Sequence, residues 1–350
     1  MKMKKGKNII FTIAIIILGL ISILSVSGCL ILIISNARLK QEADNQPVIS
    51  EIDETVTYSG TEVEAFIEQA KIEGYQEGKE EIKSKIKNTC EESTSIIQTL
   101  RELYPEYVVY LTSGHYEFHE ILDSVPKLSI SLDNLKRNDA GFMEYTEKDK
   151  LKSEVGIDVS KYQGKIDWKK VKAAGVDYAM IRIGIRGYES GALVLDETCE
   201  DNIKGAIGAG IPVGVYFFSQ AVTQEEALEE AHLVMETIAP YKITYPVAID
   251  IEDVNKPTAR TNILSVEERT VITKAFLDTI KEGGYTPMIY GNIKSFCGML
   301  DLTMLNDYAK WFAFYDETIY FPYEIEMWQY TEKGKVDGIE GEVDLNIRFK

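Results

Sequence analysis

Asp250 and Glu252 stand two residues apart at the end of the short apolar run 246–249, and this spacing suits acid–base chemistry. On a β-strand, residues i and i+2 face the same side of the sheet, so both carboxyl groups would point the same way. Cleavage of a glycosidic bond needs such a pair, because one acid protonates the leaving oxygen and one anion stabilises the developing positive charge. The alternative is a strand end with two solvated acids, and the motif alone does not decide between them.

From residue 155 onward the sequence alternates between apolar strands and amphipathic helices, which is typical of a β/α barrel. Helical stretches separate the first six predicted strands, whereas gaps of roughly ten residues between the last three are too short for a crossover helix. The fold prediction is therefore α/β, a modified TIM-like β/α barrel that lacks helices between its last strands. The eight predicted strands are 155–160, 177–184, 211–219, 246–251, 286–290, 310–315, 324–330 and 342–347.

Helix boundaries can be predicted from capping residues. Thr223 with Glu226, and Ser265 with Glu268, have the spacing of capping boxes, in which hydroxyl and carboxylate satisfy each other's free backbone amides. Glycines stand where helices should end, because glycine readily adopts the left-handed conformation needed there. They are Gly175, Gly210 and Gly284.

Acids and aromatic side chains recur at the predicted strand ends, where barrel enzymes place their active sites. Aromatic faces pack against the C–H faces of sugars, and carboxylates bind hydroxyl groups, so this combination indicates a carbohydrate site. Each residue alone could be a structural group, but their coincidence on one rim favours a site. Besides the catalytic candidates Glu252 and Asp250, the substrate-binding candidates are Asp158, Tyr216, Tyr290, Trp328 and Asp344.

The segment 9–35 contains no charged residue and is long enough to cross a bilayer with some tilt. Lysines at positions 2, 4, 5 and 7 precede it, so the tail 1–8 should stay cytoplasmic and the rest of the chain should lie outside. The residues before Cys29 resemble a lipoprotein cleavage box, but the apolar run continues past this cysteine. We therefore predict an uncleaved, single-pass signal anchor rather than a cleaved signal peptide.

Between the anchor and the barrel, we predict a linker and helical stalk over 36–104, compatible with self-association, and a small module over 105–150. The module should contain a hairpin at 107–118 followed by loops. His115 and His119 would suggest metal binding on a helix, but on a strand they are expected to be surface residues. The barrel domain should cover 151–350.

The net charge of −18 excludes nucleic acid as an expected partner and argues against electrostatic capture by an anionic surface. Anchoring would instead hold an enzyme near an anionic polymer. Of the four cysteines, Cys90, Cys199 and Cys297 follow the apolar segment without a C-x-x-C motif. Buried thiols are the expectation, with one Cys199–Cys297 disulfide as the alternative.

Several motifs follow one another in the last 200 residues: the segment 156–164 followed by 166–168, the Asp250-x-Glu252 pair, the segment 328–331, and the segment 343–346. Together they resemble glycoside hydrolase family 25, the Chalaropsis-type lysozymes or N-acetylmuramidases. The resemblance runs from about residue 155 to the end. Cys199, where the family would have an aromatic residue, and a partial match at 311–316 depart from the pattern and affect the predicted groove rather than the acid pair.

This resemblance implies cleavage of the β-1,4 bond between N-acetylmuramic acid and N-acetylglucosamine in peptidoglycan, without a cofactor or metal. Glu252 corresponds to the general acid/base, and Asp250 to the acid that orients the N-acetyl group or stabilises the transition state. Asp158 and Asp344 correspond to further active-site acids, and Tyr290 to a substrate contact. Repulsion among these acids should raise the pKa of Glu252. Direct attack by a carboxylate and attack by the substrate's acetamido oxygen both remain open.

Two other functions remain as alternatives. A wall-binding scaffold without catalysis is disfavoured because all four acids are intact. A chitin-type glycosidase also uses an Asp-x-Glu pair, but the first and last motifs favour a muramidase. The leading expectation is thus a wall enzyme at the cell membrane of a Gram-positive-like bacterium, with its catalytic domain outside.

Overall fold

The computed structural model describes residues 59–92 and 95–350. The described residues divide into two compact units, the first ending at Pro105 and the second covering Glu106–Lys350. The predicted membrane segment 9–35 lies outside the described residues. Among the residues that are described, no helix is long and apolar enough to cross a membrane.

The described part of the first unit consists of two helices, α1 (Gly60–Glu91) and α2 (Ile96–Leu103). A capping box between Ser59 and Glu62 begins α1, and the Ser95 side chain caps α2. The two helices contact each other, with the Thr89 and Thr99 hydroxyls 2.6 Å apart. The helical pattern predicted within the stalk is confirmed, whereas its self-association stays a prediction.

The second unit begins with the predicted hairpin, formed by β1 (Tyr107–Thr112) and β2 (His115–Glu120). Ser113 and Gly114 turn the chain with φ of 48° and 82°, as a two-residue hairpin turn requires. His115 and His119 both lie on β2, as the strand pattern predicted. A three-stranded sheet follows, with β3 (Leu135–Arg137), β4 (Met143–Glu147) and β5 (Lys150–Leu151). The domain boundary near residue 150 stays a prediction.

The predicted barrel is confirmed, since each of its eight strands forms and the β6–β7 pairing closes the sheet. A short additional strand, β8, pairs antiparallel with the end of β7. In chain order the strands are β6 (Ser153–Val159), β7 (Tyr178–Arg186), β8 (Leu193–Leu195), β9 (Val213–Phe218), β10 (Val247–Asp250), β11 (Pro287–Asn292), β12 (Ala309–Ala313), β13 (Met327–Gly334) and β14 (Val343–Phe349).

The last strand differs from the others in direction. β14 runs antiparallel to both of its neighbours, β13 and β6, whereas the other barrel strands pair in parallel. The short connection after β13 leaves no room for a crossover, so the chain reverses through a turn in which Gly338 and Gly341 have φ of 98° and 96°. The N-terminal end of β14 therefore lies at the barrel mouth, beside the C-terminal ends of the other strands.

Four α-helices connect the first five barrel strands, and the connection from β11 to β12 contains only a π-helical turn at Ser295–Met299 and a 3₁₀ turn. The Ser265 capping box is confirmed, but Thr223 forms only half of one, because the Glu226 carboxylate binds the Val222 amide and Arg260 instead. The helices are α3 (Trp168–Ala173), α4 (Cys199–Gly208), α5 (Gln224–Ile238) and α6 (Val266–Glu282). The three predicted terminal glycines have positive φ: Gly175, Gly210 and Gly284.

Two apolar layers stabilise the barrel. The larger lies between the helices and the outside of the sheet, and the smaller fills the barrel interior below the mouth. Met180, Ala248, Met288 and Met327 are fully buried in the interior, so the barrel is a packed core that supports whatever lies above it. Gly156 makes room there, because a Cβ atom at this position would lie 2.1 Å from the Tyr178 ring.

Candidate active site

A cavity of about 500 Å³ opens at the barrel mouth and brings together all but one of the predicted site residues. Five carboxylates line it: Asp158, Asp250, Glu252, Glu332 and Asp344. Six aromatic side chains line it as well: Tyr162, Tyr216, Phe218, Tyr290, Trp311 and Tyr315. Arg182 adds a cation to this otherwise acidic lining. This composition suits a neutral, hydroxyl-rich ligand with apolar faces, such as a sugar.

Asp250 and Glu252 both line the cavity, as their spacing predicted. Asp250 is the last residue of β10, and the backbone stays in register beyond it, since the Ile251 amide donates to the Tyr290 carbonyl at 3.0 Å. On the other side, the Ser219 amide donates to the Asp250 carbonyl at 3.1 Å. Neighbouring strands therefore hold this segment from both sides, and the two carboxyl groups point to the same face.

Asp250 is buried without complete hydrogen bonding. Its side chain is 5% exposed, and its Oδ1 atom has no hydrogen-bond partner among the described residues. Burial raises the pKa of Asp250 well above its usual value, and repulsion from Glu252 and Asp158 raises it further, while Arg182 opposes the shift. A buried oxygen without a donor is costly, so this atom is the natural acceptor for a hydrogen bond from a ligand.

Glu252 has the electrostatic environment of an acid that keeps its proton. Burial raises the pKa of Glu252, and the nearby Asp158 charge raises it further. Because the carboxyl groups of Asp250 and Glu252 repel each other when both are ionised, the pair retains a proton above the pH at which free carboxylic acids lose theirs.

Asp158 and Asp344 face each other across the pairing of β6 with β14 and share a hydrogen bond. Asp158 Oδ2 also accepts hydrogen bonds from Gln329 Nε2 and Asn346 Nδ2, each at 2.8 Å. Burial and the Asp158 charge raise the pKa of Asp344 to about 9. Burial raises the pKa of Asp158 as well, although its hydrogen bonds oppose that rise, so the two acids share a proton.

The aromatic residues occupy two levels of the cavity. Tyr216 and Tyr290 both pack edge-on against Trp311, with ring centroids 5.9 and 4.6 Å apart, and form its deep wall. Tyr162 and Tyr315 are 77% and 51% exposed and stand at the rim. The deep rings can limit the size of a sugar ring, and the rim rings are accessible to a longer glycan.

The prediction that Trp328 contacts substrate is corrected by the structure. Its side chain is fully buried outside the cavity, where the indole N–H donates to the Phe314 carbonyl at 2.8 Å and the ring packs against Tyr330. Side chains alternate along β13, so Gln329 rather than Trp328 faces the cavity. The tryptophan that lines the cavity is Trp311 on β12, which the sequence reasoning did not select.

Other lining residues were also missed, notably Arg182, Tyr162 and Tyr315. Trp311 and Tyr315 are an even number of residues apart and so share a face of the predicted sixth strand, but this alternation does not show which face is inside. Arg182 carried no comparable signal, since its guanidinium binds Asp196 at 2.7 Å and this pairing is not visible in sequence. A larger, more open cavity of about 760 Å³ beside Trp168 and Lys204 contains no comparable acid pair.

Cys199 and Cys297 do not form the disulfide considered as an alternative. Both are free thiols, as is the exposed Cys90. Burial raises the pKa of Cys199, and it raises that of Cys297 to about 12, so both stay protonated and unreactive at neutral pH.

Comparison with known proteins agrees with this geometry. Residues 157–339, more than half of the chain, match the family described as glycosyl hydrolases family 25. The chain is 27% identical over 197 residues to the uncharacterised protein YegX of Escherichia coli, covering 55% of this chain and 68% of that one. It is 26% identical to an autolytic lysozyme of Clostridium acetobutylicum, over 55% of this chain and 54% of the relative.

Among solved structures, the modular autolysin LytC of Streptococcus pneumoniae, determined with a synthetic peptidoglycan ligand, superimposes with a TM-score of 0.52. The two are 25% identical, and the alignment covers 69% of this chain and 61% of that one. The chain thus spans about half the length of the clostridial lysozyme and about three fifths of the pneumococcal autolysin. Taken with the acid pair at the barrel mouth, these similarities show that the chain belongs to glycosyl hydrolase family 25.

Proposed function

We propose that this protein is a membrane-anchored peptidoglycan muramidase, which hydrolyses the β-1,4 bond between N-acetylmuramic acid and N-acetylglucosamine and remodels or locally opens the wall. The observation that supports this most is the Asp250–Glu252 pair, in which a buried oxygen without a donor lies two residues from an acid with a raised pKa. Family membership supports the same reaction, and the curated relatives include lysozymes.

The proposed reaction uses Glu252 first as an acid and then as a base. Protonated Glu252 donates its proton to the glycosidic oxygen while the bond from that oxygen to the anomeric carbon breaks. Asp250 accepts a hydrogen bond from the N-acetyl N–H through Oδ1 and stabilises the positive charge on the sugar. Ionised Glu252 then takes a proton from the water that attacks the anomeric carbon, which restores the starting enzyme.

The interior of the mouth favours this transfer because it is shielded from bulk water. Trp311 and Tyr290 are buried beside the acids and Tyr216 is partly buried there, so charges in the cavity interact more strongly than they would in solvent. The proposal is compatible both with attack by Asp250 itself and with attack by an acetamido oxygen that Asp250 orients.

The cellular location is part of the proposal. We infer that the segment 9–35 anchors the chain in the cell membrane and that the barrel acts on the outer side. The uncharged run and the lysines before it support this orientation. Tethering would keep a chain with net charge −18 close to an anionic wall. Protease treatment of intact cells should degrade the barrel domain, and recovery of the protein from the cytosol or, shortened, from the medium would contradict the anchor.

The activity can be tested with the full chain on purified peptidoglycan and on chitin, with mass spectrometry of the new reducing ends. We expect reducing N-acetylmuramic acid from the wild type and at least about a 10³-fold slower release from Glu252→Gln. Glu282→Gln, the same change at the opposite end of the barrel, should cleave normally. Cleavage of chitin alone would support the chitinase alternative, and tight wall binding without cleavage would support the scaffold.

A further inference from the structure

A hydrogen-bond network surrounds Asp158 in the cavity that also contains the acid pair. Asp158 is 4% exposed, and the amides that donate to its Oδ2, Gln329 and Asn346, are 2% and 0% exposed. An amide group can present either its oxygen or its nitrogen to a neighbour, so its effect on a carboxylate depends on which way it is turned.

The orientation of Asn346 is determined by Trp311. The indole Nε1–H donates to Asn346 Oδ1 at 2.7 Å. Because an indole N–H can only donate, the oxygen of the amide must face the indole, and the NH₂ group must therefore face Asp158. Turning the amide over would place two donors against each other and would leave Asp158 against an oxygen.

Gln329 contacts two tyrosines, whose hydroxyl groups, unlike an indole N–H, can either donate or accept a hydrogen bond. The hydroxyl groups of Tyr290 and Tyr315 both lie 2.9 Å from Gln329 Oε1. This oxygen accepts both hydrogen bonds, so the Gln329 NH₂ group faces Asp158. Trp311 thus imposes the orientation of Asn346, and the two tyrosines support the same orientation in Gln329 by donating to its oxygen.

Burial raises the pKa of Asp158, but the two fixed donors on its Oδ2 oppose this rise, since they stabilise the anion and offer no acceptor for a carboxyl proton. Asp344, which also hydrogen-bonds Asp158, lacks such amide donors in the network. The proton shared by these two acids therefore belongs on Asp344. The raised pKa of Asp344, about 9, agrees with this assignment.

Other ionisable groups line the same cavity as Asp158, and their charges also affect its ionisation. They are Arg182 from β7, Tyr216 from β9, Asp250 and Glu252 from β10, Tyr290 from β11, Tyr315 after β12, and Glu332 and Asp344 from β13 and β14.

We propose that Gln329 and Asn346 are positioning residues which, turned by Trp311, Tyr290 and Tyr315, keep Asp158 ionised and leave the shared proton on Asp344. Asp158 then serves as a fixed negative charge below the reacting sugar, and Asp344 as a neutral hydrogen-bond donor at the rim of the same cavity. The proposal rests on the muramidase activity only for its kinetic consequence, because the proton assignment is a property of the free protein.

The test replaces the indole donor without changing charge. In Trp311→Phe, Asn346 is no longer held, Asp158 loses an ordered donor, and its pKa should rise. The acid limb of the kcat profile of the full chain on peptidoglycan should move up by about one pH unit, which is what one hydrogen bond to a charged group is worth. Trp328→Phe is the matched control, since it also removes a buried indole donor, but one bound to a backbone carbonyl outside the cavity.

A purely structural role for Trp311 would lower kcat equally at all pH values or reduce stability, and it would leave the acid limb in place. That result in a folded Trp311→Phe protein would overturn the proposal. If this variant does not fold, Gln329→Met makes the same test, because it removes the donor to Asp158 without adding a charge. An unmoved acid limb there would likewise contradict the proposal.

An activity-free measurement separates this inference from the proposed function. Infrared titration of the full chain should show, beside the carboxylic-acid absorption of Glu252, a second carboxylic-acid band at pH 7 that disappears in Asp344→Asn. The ionisation of Asp158 should move to higher pH in Trp311→Phe. If the wild type cleaves no glycan, the muramidase proposal fails, and this titration still decides where the proton lies. Loss of that band in Asp158→Asn but not in Asp344→Asn would overturn the assignment.

Discussion

Asp158 and Asp250 are buried almost equally, at 4% and 5% exposure, yet their hydrogen bonding differs. Asp158 accepts hydrogen bonds from two amides and from Asp344, whereas Asp250 has an oxygen without any partner among residues 59–92 and 95–350. A buried carboxylate oxygen without a hydrogen-bond donor lowers the stability of the folded protein. A ligand that supplies the donor gains this free energy on binding. The fold therefore completes the hydrogen bonding of Asp158, whereas we infer that the substrate completes the hydrogen bonding of Asp250.

The largest difference should appear in catalysis. Asp250→Asn should lower kcat by about 10²–10³-fold, because it removes a charge that acts directly on the transition state. Asp158→Asn should lower kcat less, since the charge it removes acts from below the sugar. Initial rates of reducing-end release measure both, and a larger loss for Asp158→Asn would reverse the roles given to the two acids.

The same two substitutions should have opposite effects on stability. Burial raises the pKa of Asp250 in the folded protein, so the wild type loses stability as pH rises above the unfolded pKa of about 4. Asp250→Asn removes this ionisable group and therefore this loss. Asp158→Asn keeps an oxygen for the two amides but removes the charge that strengthens both hydrogen bonds, and should cost about 1–3 kcal/mol. Thermal unfolding at pH 8 should show a higher Tm for Asp250→Asn and a lower Tm for Asp158→Asn. Equal shifts would remove the distinction.

Asp344 extends the comparison to the pH dependence of the free energy of unfolding. Its folded pKa of about 9 exceeds the unfolded value of about 4, so its contribution to stability is complete at low pH and is lost as pH rises through this window. Asp344→Asn should flatten this dependence while preserving a donor to Asp158, and kcat should fall less than about tenfold. Denaturant unfolding from pH 5 to 9.5 measures the slope, and an unchanged slope would show that Asp344 is ionised in the folded protein.

The smallest kinetic effect is expected at Trp328. Since its indole lies outside the cavity, Trp328→Phe should leave KM within about twofold of the wild type while lowering the free energy of unfolding by roughly 1–2 kcal/mol. Michaelis constants on a soluble glycan fragment and denaturant unfolding provide the measurements. A several-fold rise in KM at unchanged stability would restore Trp328 as a substrate contact.

The acid pair and all eight barrel strands could be predicted from sequence, because both depend on local patterns. An apolar run that ends in Asp250 and Glu252 places both acids on one face wherever the strand lies. Barrel strands, however, are buried on both faces, so apolar alternation does not reveal which face is inside. This is why Trp328 was assigned to the cavity and Trp311 was missed.

The direction of β14 and the amide network depend on contacts between distant parts of the chain. The short gap before β14 excluded a crossover helix, but only the pairing of Asp344 with Asp158 shows that the strand runs backwards. Likewise, nothing near Asn346 in sequence indicates that an indole 35 residues earlier turns its amide. Hydrophobic patterns predict which elements form, whereas the polarity of a buried network emerges only when they are assembled.

The most direct test of this account is a crystal structure of Glu252→Gln bound to a peptidoglycan fragment that spans the cavity. We expect the N–H of an N-acetyl group within hydrogen-bond distance of Asp250 Oδ1, with the bonds from Gln329 and Asn346 to Asp158 unchanged. A fragment that binds Asp158 in place of these amides, or that leaves Asp250 Oδ1 without a donor, would contradict the claim that the substrate completes Asp250.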